Sequence, residues 1–150
     1  MSSKSFKVAA LAGDGIGPEV MREAIKVLRA TEKKFGFALQ ITEAPVGWAG
    51  IDTAGKALPD EPLSLCKKSD AILFGSVGLP DRDPTIAKEK RPERAALLRL
   101  RKEFELFANV RPARSFVPGG RFSDVDIVLV RENLEGLYVG VEHFIAIGGD

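Results

Sequence analysis

Residues 6–35 read FKVAALAGDGIGPEVMREAIKVLRATEKKF, and their hydrophobic period changes partway along. Phe6 to Ala12 is a short apolar run of the kind that makes a buried strand. Gly13 to Gly17 is a turn. From Pro18 to Phe35, Val20, Met21, Ala24, Ile25 and Leu28 fall on one stripe at helical spacing. Proline suits a first helical turn, where the N–H it lacks has no intrahelical use. Gly36 ends the helix and Ala38 to Ala44 reads as a second strand. The result is a strand, helix, strand unit, the building block of an α/β fold.

The pattern repeats downstream. A short helix from Pro62 to Lys68 precedes a strand from Asp70 to Val77, whose Ala-Ile-Leu-Phe centre is apolar without alternation. Such strands, interleaved with helices, predict a sheet covered on both faces. Gly78 to Arg91 is polar and rich in Pro and Asp, which predicts a surface loop of a length that often serves function. Pro92 to Glu105 reads as a helix, Phe107 to Arg111 as an extended segment, and Val125 to Val130 as a further buried strand. Past Tyr138 and Gly140 the signal weakens.

Composition removes several function classes. Of the 150 residues 45% are hydrophobic and 29% charged, as in a globular protein with one ordinary core. Twenty-two basic residues face 21 acidic ones, a formal charge of +1, so no global field recruits nucleic acid or anionic membrane. Cys66 is the single cysteine, which excludes an intrachain disulfide and paired-cysteine zinc sites and fits a reducing, cytoplasmic setting. No apolar run approaches the roughly 20 residues of a membrane span, and the amino terminus runs straight into a glycine turn, unlike a signal peptide.

Gly13-Asp14-Gly15-Ile16-Gly17-Pro18-Glu19 lies where a helix N-terminus can receive an anion. The competing reading, and the commoner one for such spacing, is a tight strand-to-helix connection; the glycines do not match the G-x-G-x-x-G dinucleotide fingerprint. Arg94, Leu97, Leu98 and Arg101 are spaced i, i+3, i+4, i+7 and so share one face of an α-helix. Arg111 ends one extended segment and Arg131 caps an apolar strand. Arginine there packs poorly but aims a planar fork at a carboxylate, and if Arg101, Arg111 and Arg131 converge they can bind a dicarboxylate. Taken singly, each is an ordinary ion-pair arginine. Tyr138 near arginines is a candidate proton donor, against the plain reading of a half-buried hydrogen-bonded tyrosine. His143, the only histidine, is a surface residue; Cys66 belongs to the core; Trp48 is a packing anchor.

Four stretches in order, GDGIGPEV, LFGSVG, RPERAALLRLRKEFELFANVRP and VDIVLVRENLEGLY, resemble the isopropylmalate, isocitrate and homoisocitrate dehydrogenases, over Lys7 to about His143. The resemblance implies a two-domain α/β sandwich around a cleft, with residues 1–106 the first part of the larger domain and 107–150 the start of a second, dimerisation domain. It implies that Arg101, Arg111 and Arg131 bind the malate-like carboxylates and that Tyr138 helps protonate the enol after decarboxylation. Ile16 and the segment Gly75, Ser76, Val77 and Gly78 would border NAD, with NADP left open. The reaction implied is hydride transfer from a 2-hydroxyl to the nicotinamide followed by loss of carbon dioxide, assisted by Mg2+ or Mn2+.

The family's lysine base, metal-binding aspartates and adenosine loop fall beyond position 150, so no metal ligand is assigned here, and the chain is expected to be an inactive fragment of a homodimeric enzyme. Leu97 and Leu98 resemble the isopropylmalate enzymes, whose apolar face takes a branched alkyl group. Arg94 stands where those enzymes carry a glutamate, and RENLEGLYVG looks more like the isocitrate and homoisocitrate enzymes. 3-Isopropylmalate is favoured, with isocitrate or homoisocitrate the alternatives. A non-catalytic regulatory subunit that keeps the arginines is the reading from another class, and nucleic-acid or membrane partners are not expected.

Overall fold

Strand β1 (Ser5–Gly13) lies in the middle of a three-stranded parallel sheet, between β2 (Ala38–Glu43) and β3 (Ala71–Ser76). The computed structural model describes residues 4–136 and 139, in two compact units, Met1–Leu100 and Arg101–Asp150. In the first unit β1 is central and carries the most buried stretch of the sheet. Val8, Ala9, Ala10 and Leu11 are all buried, whereas β2 and β3 keep half-buried or exposed positions. Val8 stands opposite Ile41 on one side and Ala71 on the other. Helix α1 (Gly17–Phe35) crosses back over the sheet, burying Met21, and stops at Gly36, whose φ of 70° is left-handed.

Two further helices, α2 (Trp48–Ala54) and α3 (Asp60–Lys67), pin the connection between β2 and β3. α3 forms where the sequence places a helix and buries Leu63 and Cys66. α2 is an element the sequence reading lacks, because Gly47, Gly50 and Gly55 give its segment the look of a loop. Gly50 is required there: a side chain at that position would strike the carbonyl groups of Lys56 and Ala57. Leu58, 1% exposed, closes the core behind it, and burial of such a side chain stabilises by about 1.5–3 kcal/mol.

The carboxyl ends of β1 and β3 approach so closely that only glycine fits. A Cβ on Gly75 would overlap the Ala12 carbonyl oxygen, and one on Gly13, whose φ is 80°, would overlap that of Ser76. These contacts fix where the chain leaves each strand.

The predicted helix over 92–105 is not uniform. A π-helical turn (Glu93–Leu98) leads into α4 (Arg99–Glu103), with Ala96 and Leu100 buried. In the second unit β4 (Ala108–Arg114) and β5 (Asp126–Glu132) form an antiparallel hairpin in register from Ala108 opposite Glu132 to Arg114 opposite Asp126. β4 continues through Pro112, whose missing N–H is tolerated in a two-stranded ribbon because each strand is an edge. β5 was expected to be buried. Instead Ile127, Val128, Leu129 and Val130 are all at least half exposed among the described residues. No described helix is long and apolar enough to cross a membrane.

The glycine contacts make a paired prediction. Gly75→Ala forces a side chain into the Ala12 backbone and is expected to cost about 3 kcal/mol. Gly36→Ala, where nothing lies within 4 Å of the added carbon, should cost only the roughly 1–2 kcal/mol of a left-handed alanine. Urea unfolding of the two variants checks the difference, and equal midpoints would contradict the packing account.

Candidate active site

Asp14 sits at the end of β1 with its side chain buried, 6% exposed. One carboxylate oxygen accepts the Trp48 N–H at 2.7 Å and the other the Gly78 N–H at 2.9 Å, while the Asp14 N–H donates to the Ser76 carbonyl at 2.6 Å. Trp48 is the first residue of α2, so a carboxylate 34 residues away takes the part of an N-cap and lies against the positive end of that helix. Gly47 must be glycine because a Cβ there would run into the same carboxylate.

From Trp48 the network continues into the loop after β3. Its indole Nε1 donates to Asp83 Oδ1 at 2.7 Å, and the Leu79 N–H reaches the same oxygen at 3.1 Å. The Arg82 guanidinium lies 3.9 Å from the centre of the Trp48 ring and makes a two-pronged pair with Asp52 of α2 at 2.9 and 2.6 Å. The hydrogen bond from Arg82 holds the Asp52 carboxyl below its ordinary value. The loop expected from Gly78 to Arg91 is therefore bound to α2 along its first half, with short 3-10 turns at Asp83–Thr85 and Lys88–Lys90.

This network surrounds the glycine turn. The Gly17 N–H donates to the Asp14 carbonyl, Pro18 has no N–H, and the Glu19 and Val20 N–H groups both donate to the Ile16 carbonyl. The printed donors of the first helical turn are bonded within the turn, which fits a tight strand-to-helix connection. Among the five positions that the resemblance places beside a dinucleotide, Gly75 packs on Ala12, Ser76 accepts the Asp14 N–H, and Gly78 gives its N–H to Asp14. Val77 is half-buried, and Ile16 is 63% exposed at the tip of the turn. They form an apolar edge whose Gly78 N–H is committed to Asp14. For a metal the fit is poor: Asp14, Asp52 and Asp83 are committed to N–H and guanidinium donors, and no three potential ligands come together among the described residues.

In the second unit the hairpin register settles which side chains share a face. Residues directly opposite point to the same side and alternate along each strand. Asn109 stands opposite Arg131 and Arg111 opposite Leu129, so Asn109, Arg111, Leu129 and Arg131 occupy one face. Arg111 Nε donates to Asn109 Oδ1 at 3.1 Å, and Arg131 Nη2 to Asn133 Oδ1 at 3.3 Å. Asn133 is buried, 6% exposed, and its amide donates to the Leu106 carbonyl at 3.2 Å. The Leu106 N–H in turn donates to the carbonyl of Arg101 at 2.9 Å. Two of the three expected arginines thus share a face, and the turn that follows the third is tied to the asparagine beside them.

Asn109 and Asn133 were not singled out from the sequence. The available signal was the mirrored spacing of Asn-Val-Arg and Arg-Glu-Asn, which period-two alternation turns into one face. Glu132, one of two carboxylates in the segment, accepts the Leu134 and Glu135 N–H groups at 2.8 and 2.7 Å; the bond from Leu134 leads in holding its carboxyl low, and it shapes the turn. Arg94, Leu97 and Leu98 are half-buried on the π turn. A π turn takes an extra residue, so the expected α-helical stripe from Arg94 is broken before it reaches Arg101. Burial pushes the Cys66 thiol up, as for a core residue and not a nucleophile. Tyr138 and His143 lie outside the described residues.

Residues 7–149 match the isocitrate/isopropylmalate dehydrogenase family model. The chain is 53% identical over 146 residues to the 3-isopropylmalate dehydrogenase of Desulfotalea psychrophila and 50% identical over 146 residues to that of Campylobacter jejuni, covering 89% and 91% of this chain. It spans about 40% of the length of these curated relatives. Among solved structures it is similar to an isocitrate dehydrogenase from Methylococcus capsulatus, with TM-score 0.76 and 37% identity over 95% of this chain and 39% of that one. A β-decarboxylating dehydrogenase from Thermococcus kodakarensis gives TM-score 0.65 and 34% identity over 87% of this chain and 35% of that one.

Asp14→Asn sets an amide N–H2 against one of the N–H donors that the carboxylate accepted. The expected cost is about 1–3 kcal/mol, read by denaturant unfolding. Asp52 is lowered on folding, so its contribution is present above its unfolded value, near 3.8, and is lost as pH falls through the still lower folded value. The fluorescence of Trp48, the only tryptophan of the sequence, should therefore hold steady from neutral pH down to about 4 and change below it; an Arg82→Gln variant should lack that acid transition.

Proposed function

The chain belongs to the isocitrate/isopropylmalate dehydrogenase family, and from that premise we propose that the protein oxidises and decarboxylates a malate-type 2-hydroxy dicarboxylate, with 3-isopropylmalate the preferred substrate. The observation that supports this reading best is the common face of Arg111 and Arg131 on the β4–β5 hairpin. Two guanidinium groups beside two amides suit two substrate carboxylates, because a planar fork binds a carboxylate through paired charge-assisted bonds. The Asn109 and Asn133 oxygens orient those forks from behind and add no competing charge.

In this proposal Arg101 completes the carboxylate grip. Leu97 and Leu98 receive the branched alkyl group, and Tyr138 gives a proton to the enol left after decarboxylation. Arg94 is the residue that would favour a distal carboxylate, as in isocitrate or homoisocitrate, and it motivates the second reading. NAD, with NADP second, and Mg2+ or Mn2+ are the proposed cofactors, and no described residue is assigned to the metal. The arginines and the tyrosine act by fixing the substrate in line and moving one proton. Residues 1–106 are proposed as the first part of the larger domain and 107–150 as the start of the dimerisation domain of a cytoplasmic homodimer.

The test is a spectrophotometric assay of the full-length protein with magnesium, NAD or NADP, and 3-isopropylmalate, isocitrate, homoisocitrate, malate or tartrate in parallel. NAD reduction with 3-isopropylmalate alone is the expected result. Preference for isocitrate or homoisocitrate would assign the choice to Arg94, and no turnover with any substrate would favour a regulatory subunit. Arg111→Ala should lower kcat/KM by about 10²–10³-fold, since a carboxylate loses its charged partner; near-normal turnover of that variant would overturn the site.

A further inference from the structure

Away from Asp14 and from the hairpin, the first unit holds a half-open cavity of about 300 Å³. Its floor is apolar: Ala57 and Leu58, 3% and 1% exposed, line it together with Ile51 of α2 and Ile86. Its rim is cationic. Lys56, Lys90 and Arg99 line it together with Glu89, and Asp60 lies beside Lys56. Arg99 Nη1 reaches the Leu58 carbonyl at 3.5 Å, which holds the guanidinium at the edge of the apolar floor. Lys56 pairs with Asp60 at 2.8 Å, but both side chains are more than half exposed, so this pair is worth little and can exchange partners. Lys56 and, more weakly, Arg99 hold the Asp60 carboxyl low, in keeping with a positive field at the rim.

We propose that this cavity is a binding site for a small organic carboxylate with a short alkyl body, separate from the hairpin arginines. The volume is at the small end of ligand pockets, and an apolar floor with few polar groups is their usual make-up. An inorganic anion would leave the floor wet, and a neutral alkane would make no bond to the basic side chains that line the cavity. A carboxylate on a branched alkyl chain satisfies both, its charge at Arg99 and its body on Leu58 and Ile86. The occupant would also bridge α2 to the loop after β3, the two segments already joined by Trp48 to Asp83 and Arg82 to Asp52. Its binding therefore adds a second tie to that junction and stabilises the folded protein by mass action.

The probe is 4-methylpentanoate, titrated by calorimetry into the full-length protein, with 4-methylpentan-1-ol and inorganic phosphate as the uncharged and tailless controls. The expected result is saturable binding of the carboxylate at one site per chain, weakened at least about tenfold in Arg99→Gln. The exposed Lys90→Gln, which leaves the fold untouched, should weaken it by about threefold. Arg111→Ala should leave it unchanged, which separates this site from the proposed substrate site. Absence of saturable binding, equal affinity in both rim variants, binding of phosphate as tight as that of the carboxylate, or loss of binding in Arg111→Ala would each overturn the proposal.

Discussion

A single buried carboxylate organises one end of the parallel sheet. Taking a charge out of water is costly unless hydrogen bonds replace the solvent, and Asp14 receives two backbone N–H groups from segments 34 and 64 residues away. The aspartate fixes the start of α2, the exit from β3 and the turn into α1 together. Gly13, Gly47 and Gly75 follow from this arrangement, since the strand ends and the carboxylate lie too close for side chains. Trp48, Asp83, Arg82 and Asp52 then carry the same constraint outward into the loop.

The first strand, helix, strand unit was legible because its hydrophobic period is strong and its caps are plain: Pro18 at the start of α1 and Gly36 at its end. α2 was hidden because its start is capped by Asp14 and not by a neighbour, so nothing local announces it. The exposure of β5 was also illegible. An apolar run states what a strand can bury and not whether a second layer covers it, and here Val128 and Val130 face outward on a two-stranded ribbon. The π turn at Glu93–Leu98 escaped for a related reason: Arg94, Leu97 and Leu98 fit the α-helical stripe equally well on paper.

On the functional side the residues of the resemblance divide by what surrounds them. Arg111 and Arg131 gain meaning from the hairpin, because register puts them on one face and the buried Asn133 steadies Arg131. At the glycine turn the Asp14 and Ile16 carbonyls accept the N–H groups of Gly17, Glu19 and Val20, as a tight strand-to-helix connection requires. A glycine-rich turn before a helix therefore carries chemistry only when its donors remain free, which spacing alone does not reveal. Fold likeness narrows the chemistry to one family, and the substrate is left to individual side chains, for which Leu97, Leu98 and Arg94 are the proposed candidates.

The proposed function couples oxidation to decarboxylation of a branched 2-hydroxy dicarboxylate. The most direct measurement is the simultaneous quantitation of NADH and carbon dioxide from the full-length protein supplied with 3-isopropylmalate, NAD and magnesium. Equal molar amounts, rising together, are the predicted result. NADH formed without carbon dioxide, or neither product while isocitrate is turned over readily, would contradict it.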